Sequence, residues 1–201
     1  MGFYIAGAGG AGREALDICL ALGREVAAFL DDAAAAQIVR RHAVCVPDEA
    51  AEGAEYVVAI ASSQARLRMS RLLDALGLHA GELVHPRAVI CSSAGPGLIA
   101  QANVMISSGV RLGAHCQVHY NATIGHDAVL ADRVTVLPGA NVAGGVRLGE
   151  GVLVGSGAVV LQGRTVGAGA AVGAGAVVTR DVLAGAVVVG SPAAQLCRGA
   201  R

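Results

Sequence analysis

The stretch Val166-Gly-Ala-Gly-Ala-Ala-Val172-Gly-Ala-Gly-Ala-Val-Val178 repeats an aliphatic residue at every sixth position. Back from it the same register runs without a miss through Val160, Val154, Leu148, Val142, Val136, Leu130, Ile124, Val118 and Leu112 to Ile106. Four residues beyond most of these stands a second small or apolar residue, as at Ala122, Ala128, Val134, Ala140, Val146, Val152, Ala158, Ala170, Ala176 and Val182. A period of six fits neither the helical 3.6 nor the two-residue alternation of a strand. It is the spacing of a hexapeptide β-helix.

If three hexads close one triangular coil, each flat side turns an aliphatic side chain inward, and residues eighteen apart stack at a strand spacing of about 4.8 Å. The corners of so narrow a prism need small residues and one tolerant of positive φ, which accounts for 29 glycines among 201 residues. A disordered chain has no reason to keep a buried row, so this glycine content reads as structure.

The chain is long enough for one or two domains, and at 54% hydrophobic it can bury a sizeable core. Fifteen basic residues balance fifteen acidic ones, so nothing in the charge recommends nucleic acid or an anionic membrane as a partner. The five cysteines, at 19, 45, 91, 116 and 197, show no metal or redox spacing, and an odd number makes a poor disulfide framework. They read as reduced thiols of a cytoplasmic protein. Met1-Gly-Phe-Tyr-Ile-Ala-Gly has neither a signal peptide's basic start and apolar run nor the Ser or Thr of a myristoylation motif.

The first eighty or so residues follow another rule. Phe3 to Ala6 reads as a strand, Gly7 to Arg13 as a turn, Glu14 to Leu22 as a helix ended by Gly23, and Val26 to Leu30 as a second strand closed by Asp31-Asp32. Tyr56 to Ile60 supplies a further strand, and Gln64 to Leu76 a helix ended by Gly77. The expected organisation is a small Rossmann-like α/β domain over 1–82 and a β-helix over 83–201.

Gly7-x-Gly9-x-x-Gly12 has the spacing of a dinucleotide fingerprint, with acids about twenty positions later. Such glycines let backbone approach a phosphate, and the following helix aims its N–H groups at the anion. A turn that merely lets strand and helix pack closely needs no ligand. The order of strand, turn, helix, second strand and terminal acid favours a nucleotide or nucleotide sugar. A nicotinamide cofactor is disfavoured, because eighty residues do not build the usual two-half domain.

In the repeats, His126-Asp127 follows Ile124-Gly125, which puts the imidazole on the outside of a flat wall. A neighbouring carboxylate can orient an imidazole and raise its basicity, and a surface histidine beside a solvated Asp is the plain alternative. Adding eighteen to 126 gives Gly144, whose bare N–H could stabilise an oxyanion near that base. His115, Cys116 and His119 invite a metal reading, but in a β-coil their spacing crosses a corner and separates the rings, so solvent exposure or subunit contact is expected. His42, His79 and His85 read as surface groups. Asn121 and Asn141 are expected at corners, where Asn tolerates left-handed geometry.

Asn121-Ala-Thr-Ile-Gly-His126-Asp127, Pro138-Gly-Ala-Asn-Val-Ala-Gly-Gly145, Gly175-Ala-Val-Val-Thr-Arg-Asp181 and Gly190-Ser-Pro192-Ala resemble the sugar O- and N-acyltransferases of the sialic acid and bacillosamine type. Gly7-Ala-Gly-Gly-Ala-Gly-Arg13, Phe29-Leu-Asp-Asp32 and the Ile60…Arg66 segment match the N-terminal half of the same family. The resemblance implies a left-handed β-helix and a homotrimer with sites between neighbouring prisms. It implies N-acetylation, with acetyl-CoA as cosubstrate and no metal, of a UDP- or GDP-linked amino sugar of the 4-amino-4,6-dideoxy type in surface-glycan biosynthesis. His126 would be the general base, Asp127 its orienting acid and the Gly144 N–H the oxyanion donor. Coenzyme A would run past Gly144, Gly173, Ala176 and Pro192, while Gly9, Gly10, Gly12 and Asp32 would hold the diphosphate end.

The chain departs from the family's pattern at Ala11 and Thr135, where histidines are usual, and at Ala61-Ser62-Ser63, where Gly-Asp or Gly-Asn is frequent. These positions bear on the diphosphate contacts and on the shape of the acceptor site. Two other classes remain: a sugar O-acetyltransferase using the same His126, and a non-catalytic nucleotide-sensing or scaffold β-helix.

Overall fold

The protein is described by a computed structural model covering residues 2–196. Cys197 lies outside the described residues. The first unit is a six-stranded sheet of β1 (Phe3–Ala6), β2 (Ala28–Leu30), β3 (Ile38–Val39), β4 (His42–Cys45), β5 (Glu55–Val58) and β6 (His79–Ala80). Its order is β3-β4-β2-β1-β5-β6, parallel except between β3 and β4. Successive side chains of β1 point to opposite faces, and both faces are covered. Phe3 and Ile5 pack under helix α1 (Gly10–Leu22) with Leu16 and Cys19, while Tyr4 and Ala6 share a second core with Leu73 of α2 (Ser63–Ala75).

Helix α1 begins at Gly10, inside the segment expected to be a turn. The reason is Gly12, whose missing Cβ would run into the Gly7 carbonyl. With no side chain there, the helix starts directly against β1. Gly23 ends it at φ 63°, and Ser62 caps α2 by accepting from Ala65 N–H at 3.3 Å. The β3–β4 hairpin was not anticipated. Its turn residues Arg40 and Arg41 hold φ of 48° and 72° without the Asn-Gly signal such a turn prefers.

From Leu83 to Val189 the chain is a left-handed parallel β-helix with three walls. The first runs from Leu83–Val84 through Ile99–Ala100, Gln117–Val118, Thr135–Val136 and Leu153–Val154 to Ala171–Val172 and Val187–Val189, where an antiparallel strand, Ala194–Gln195, ends it. The second holds Thr123–Ile124 and Asn141–Val142 in register with Met105–Ile106, and the third holds Val129–Leu130 between Arg111–Leu112 and Arg147–Leu148. Between Ile99 and Val178 the pairings join residues eighteen apart, as the hexads require, while the end coils are two residues shorter, pairing Leu83 with Ile99, Val89 with Met105 and Ala171 with Val187. The aliphatic row from Ile106 to Val178 is buried apart from the partly covered Leu112, and the second row of small residues lies beside it. Asn121, at φ 60°, is a corner residue, but Asn141 lies in a strand with its side chain exposed.

The two units share a seam. Leu83 and Ile99 of the first wall complete the core beneath α1. Gln117 Nε2 donates to the Val58 and Ile60 carbonyls, at 2.9 and 3.3 Å. The fully buried Arg66 donates to Ile60 O, Ala61 O, Arg133 O and Thr135 Oγ1 at 2.5–3.2 Å. Burial pulls its guanidinium down to about 10, which leaves it cationic at neutral pH.

Candidate active site

His126 and Asp127 occupy the corner between the second and third walls, not the flat of a wall, because Thr123–Ile124 ends two residues earlier and Asp127 takes a left-handed φ of 57°. At that corner the imidazole and the carboxylate can meet. His126 Nδ1 lies 2.9 Å from Asp127 Oδ2, which leaves Nε2 for other work. Their side chains are 62% and 73% exposed on the single chain.

The next coil brings Gly144 over the ring. A Cβ placed on Gly144 would lie 2.5 Å from His126 Nε2 and 2.7 Å from Cε1, so only glycine admits the imidazole in this position. The Gly144 N–H donates to nothing among the described residues. The coil before does the same for the acid: a Cβ on Gly109 would strike Asp127 Oδ1. Gly109 is therefore a site residue that sequence reading missed. Subtracting eighteen from 127, the step that found Gly144 taken the other way, would have found it.

At the Gly-rich turn, Gly9 caps α1 without a side-chain partner for the first N–H groups, and nothing lies within 4 Å of a Cβ built on it. Gly9 and Gly10 are exposed, whereas Gly12 is buried against Gly7. The acid that faces the turn is Asp31, which accepts from Ala8 N–H at 2.9 Å and from Ala33 N–H at 3.1 Å. Asp32 is exposed beside it.

Several expected positions move. Ala176 lies in the prism interior, and its N–H donates to Gly173 O, so its side chain cannot meet a cosubstrate. Gly173 is half-buried at a corner, and Pro192 lies in the turn before the last strand. Thr135 is 4% exposed and bonded to Arg66, which makes it part of the seam and not of the His126 corner. His115 and His119 are not solvent groups either. His115 is 7% exposed and stacks on Tyr56, with ring centroids 6.0 Å apart. His119 sits 3.8 Å from Glu14 Oε2, and Gln101 donates to the same carboxylate oxygen at 2.8 Å. Burial lowers the proton affinity of both imidazoles below the usual histidine value, and for His119 the Glu14 carboxylate opposes that.

An imidazole held by a carboxylate beneath a free peptide N–H, on a β-helix joined to a phosphate-type Gly turn, defines an acyltransferase of the hexapeptide-repeat class. Residues 3–73 match the family model described as the PglD N-terminal domain, and residues 127–162 match the bacterial transferase hexapeptide model of six repeats. The acetyltransferase domain of PglB from Neisseria gonorrhoeae FA1090 is 31% identical over 96% of this chain and 98% of that one, with a TM-score of 0.91. A variant of perosamine N-acetyltransferase from Caulobacter crescentus, in complex with CoA and GDP-perosamine, is 29% identical over 98% and 97% of the two chains, with a TM-score of 0.92. WeeI from Acinetobacter baumannii AYE is 28% identical over 98% and 100%, with a TM-score of 0.91. No curated protein sequence matches. The chain belongs to the family of sugar acetyltransferases that these structures represent.

Proposed function

We propose that this chain transfers an acetyl group from acetyl-CoA to the amino group of a nucleotide-linked amino sugar. A 4-amino-4,6-dideoxy sugar carried on UDP or GDP is the acceptor in this reading. The observation that carries it is the His126 corner, where Nδ1 is held at 2.9 Å by Asp127 and Nε2 faces Gly144. The Caulobacter neighbour, bound to CoA and GDP-perosamine, supports the substrate classes.

In this mechanism the sugar amine attacks the thioester carbonyl while Nε2 of His126 takes its proton. Asp127 holds the ring and stabilises the imidazolium, and the Gly144 N–H donates to the carbonyl oxygen as it becomes negative. Collapse breaks the C–S bond, and the imidazolium returns a proton to the departing CoA thiolate. Residues 1–82 hold the nucleotide, with Gly9, Gly10 and the N-terminus of α1 at the diphosphate and Asp32 on the rim. Gly12 acts by letting α1 start against β1. Residues 83–201 carry the transfer, with CoA running from Gly144 past Gly173 toward Pro192.

A corner this exposed needs a second surface to exclude water. The second wall carries Val89 and Met105 at 54% and 37% exposure, and a closed trimer would cover such a face and bring a neighbour to His126. Among the described residues no helix is long and apolar enough to cross a membrane. Thiol release from acetyl-CoA in the presence of UDP- and GDP-linked 4-amino sugars tests the reading, with the acetylated product identified by mass. No release with any amino acceptor, or release only with hydroxyl acceptors, refutes N-transfer. A monomer mass by sedimentation under assay conditions removes the intersubunit site.

A further inference from the structure

Beside the Gly-rich turn, where α1 meets the first wall of the β-helix, lies a small cavity lined by Ala11, Ala59, Gln101, Gln117 and His119. Its polar lining is unfinished. Gln117 is 3% exposed, and its Nε2 is fixed by the Val58 and Ile60 carbonyls, so the amide cannot turn over without losing both bonds. Its Oε1 is left buried with no hydrogen-bond partner. A buried acceptor without a donor costs free energy that a folded protein rarely leaves unrecovered unless a bound group supplies the missing bond.

The rest of the lining points the same way. His119 Nδ1 is 3.8 Å from Glu14, beyond hydrogen-bond reach, so the protein does not saturate the imidazole. Gln101 is turned away from the task, because its Nε2 is given to Glu14 and its Oε1 accepts from Tyr120 N–H. Ala11 stands in the first turn of α1, between the open glycines and the cavity, and its single methyl leaves the space clear. The cavity therefore opens beside the α1 N-terminus, within reach of a sugar whose diphosphate lies at Gly9 and Gly10.

We infer that this cavity reads one hydrogen-bond donor on the sugar of the acceptor, a hydroxyl or an ammonium, through Gln117 Oε1 and the His119 ring. The inference rests on the nucleotide-sugar reading above and adds to it the residues that choose the sugar. The glycine turn binds the diphosphate without regard to what it carries. Gln117 and His119 are specificity-determining residues, at the first wall and not at the His126 corner between the second and third. An acceptor with a hydrogen in place of the donor gives Oε1 no bond from the ligand and forfeits the gain.

The test is a binding measurement, so that it does not depend on turnover. Calorimetric titrations of the full chain use four ligands: UDP, GDP, and each nucleotide carrying a 4-amino-4,6-dideoxyhexose. Ala11→Leu fills the cavity without touching any hydrogen bond, and His119→Leu removes the ring nitrogens at similar volume. Each variant should weaken the preferred nucleotide sugar about tenfold or more while its parent nucleoside diphosphate stays within about twofold. Equal weakening of both ligands, or of neither, in a variant with unchanged melting overturns the inference while leaving the acceptor reading intact. Should one variant fail to fold, the other gives the same contrast. A wild-type chain that binds none of the four ligands overturns the reading and the inference together.

Discussion

Replacing Gly144 with Ala tests the corner where it is most specific. The added Cβ would lie 2.5, 2.7 and 2.9 Å from Nε2, Cε1 and Cδ2 of His126, against an ordinary carbon contact of about 3.5–4 Å. The ring must retreat by about 1 Å, and a misplacement of about that size costs roughly 10²-fold in rate. Because the His126 side chain is 62% exposed, it can swing outward at little cost, so stability should change by less than about 0.5 kcal/mol. The neighbouring Gly145 supplies the control. It holds φ at +66°, and the nearest atom to an added Cβ is Gly163 Cα at 4.0 Å. Gly145→Ala should lower Tm by about 2–8 °C through left-handed strain of about 1–2 kcal/mol, yet keep kcat within about threefold. Acetyl-CoA thiol release and thermal melting on both variants separate the two effects. A Gly144→Ala enzyme with wild-type kcat would show that His126 and Gly144 are not the reacting pair.

His126→Ala should reduce kcat by about 10²-fold or more, and Asp127→Asn by less, with KM for acetyl-CoA little changed in either; an unaltered rate in His126→Ala removes the base. The two buried histidines predict a pH dependence of stability. Burial lowers the proton affinity of His115 and His119 in the folded state, so the unfolded chain binds more protons below the ordinary histidine value of about 6.5. Stability is whole above that pH and falls as pH drops through the window down to the lowered folded values. Denaturant midpoints from pH 7.5 to 5 should show this, and His115→Phe with His119→Leu should flatten the slope; an equal slope in the double variant refutes the assignment. Arg66→Met leaves Ala61 O and Arg133 O without their donor and Ile60 O with Gln117 Nε2 alone, and should cost on the order of 2–4 kcal/mol. Helical circular dichroism should then melt ahead of the β-helix, and a single transition within about 1 kcal/mol of wild type would show that the seam does not depend on Arg66.

The β-helix was legible because its rule is one-dimensional. The interior of a three-walled prism has room only for an aliphatic row and a row of small residues beside it, so buried rows appear in sequence at a fixed interval, and register follows by addition. His126 and Gly144 fell out of that arithmetic, and Gly109 would have. What it cannot give is which wall meets another domain. Gln117, Thr135 and His115 read as outward positions like any other, and only the docking of β5 and α2 turns them inward. The sheet of the first unit was half legible: β1, β2 and β5 are apolar runs, while β3 has two residues, β3 and β4 carry exposed and half-exposed residues, and the chain turns between them through Arg40-Arg41. The start of α1 was misread because glycine usually argues against a helix, and here Gly12 is required by contact with the Gly7 carbonyl.

The corners of the prism show where function has displaced structure. Every sixth residue from Gly97 to Gly175 takes positive φ, and from Gly139 onward all of them are glycine. Earlier the same position holds Asn103, His115, Asn121, Asp127 and Arg133, each in a conformation that disfavours a side chain. The two asparagines hydrogen-bond to each other at 3.0 Å, an adequate local reason. His115 and Arg133 lie on the domain seam, and Asp127 holds the proposed base. Strain kept at a site where glycine would serve the fold points to selection for the side chain. Asp127→Gly puts this to the test. It removes the αL strain, glycine's greater unfolded-state entropy offsets about 0.5–1 kcal/mol of the relief, and stability should move by less than about 1 kcal/mol. Activity should fall about tenfold or more, because Nδ1 of His126 loses its partner. A variant that melts far below wild type would mean that Asp127 supports the coil, and the case for it as the orienting acid would fail.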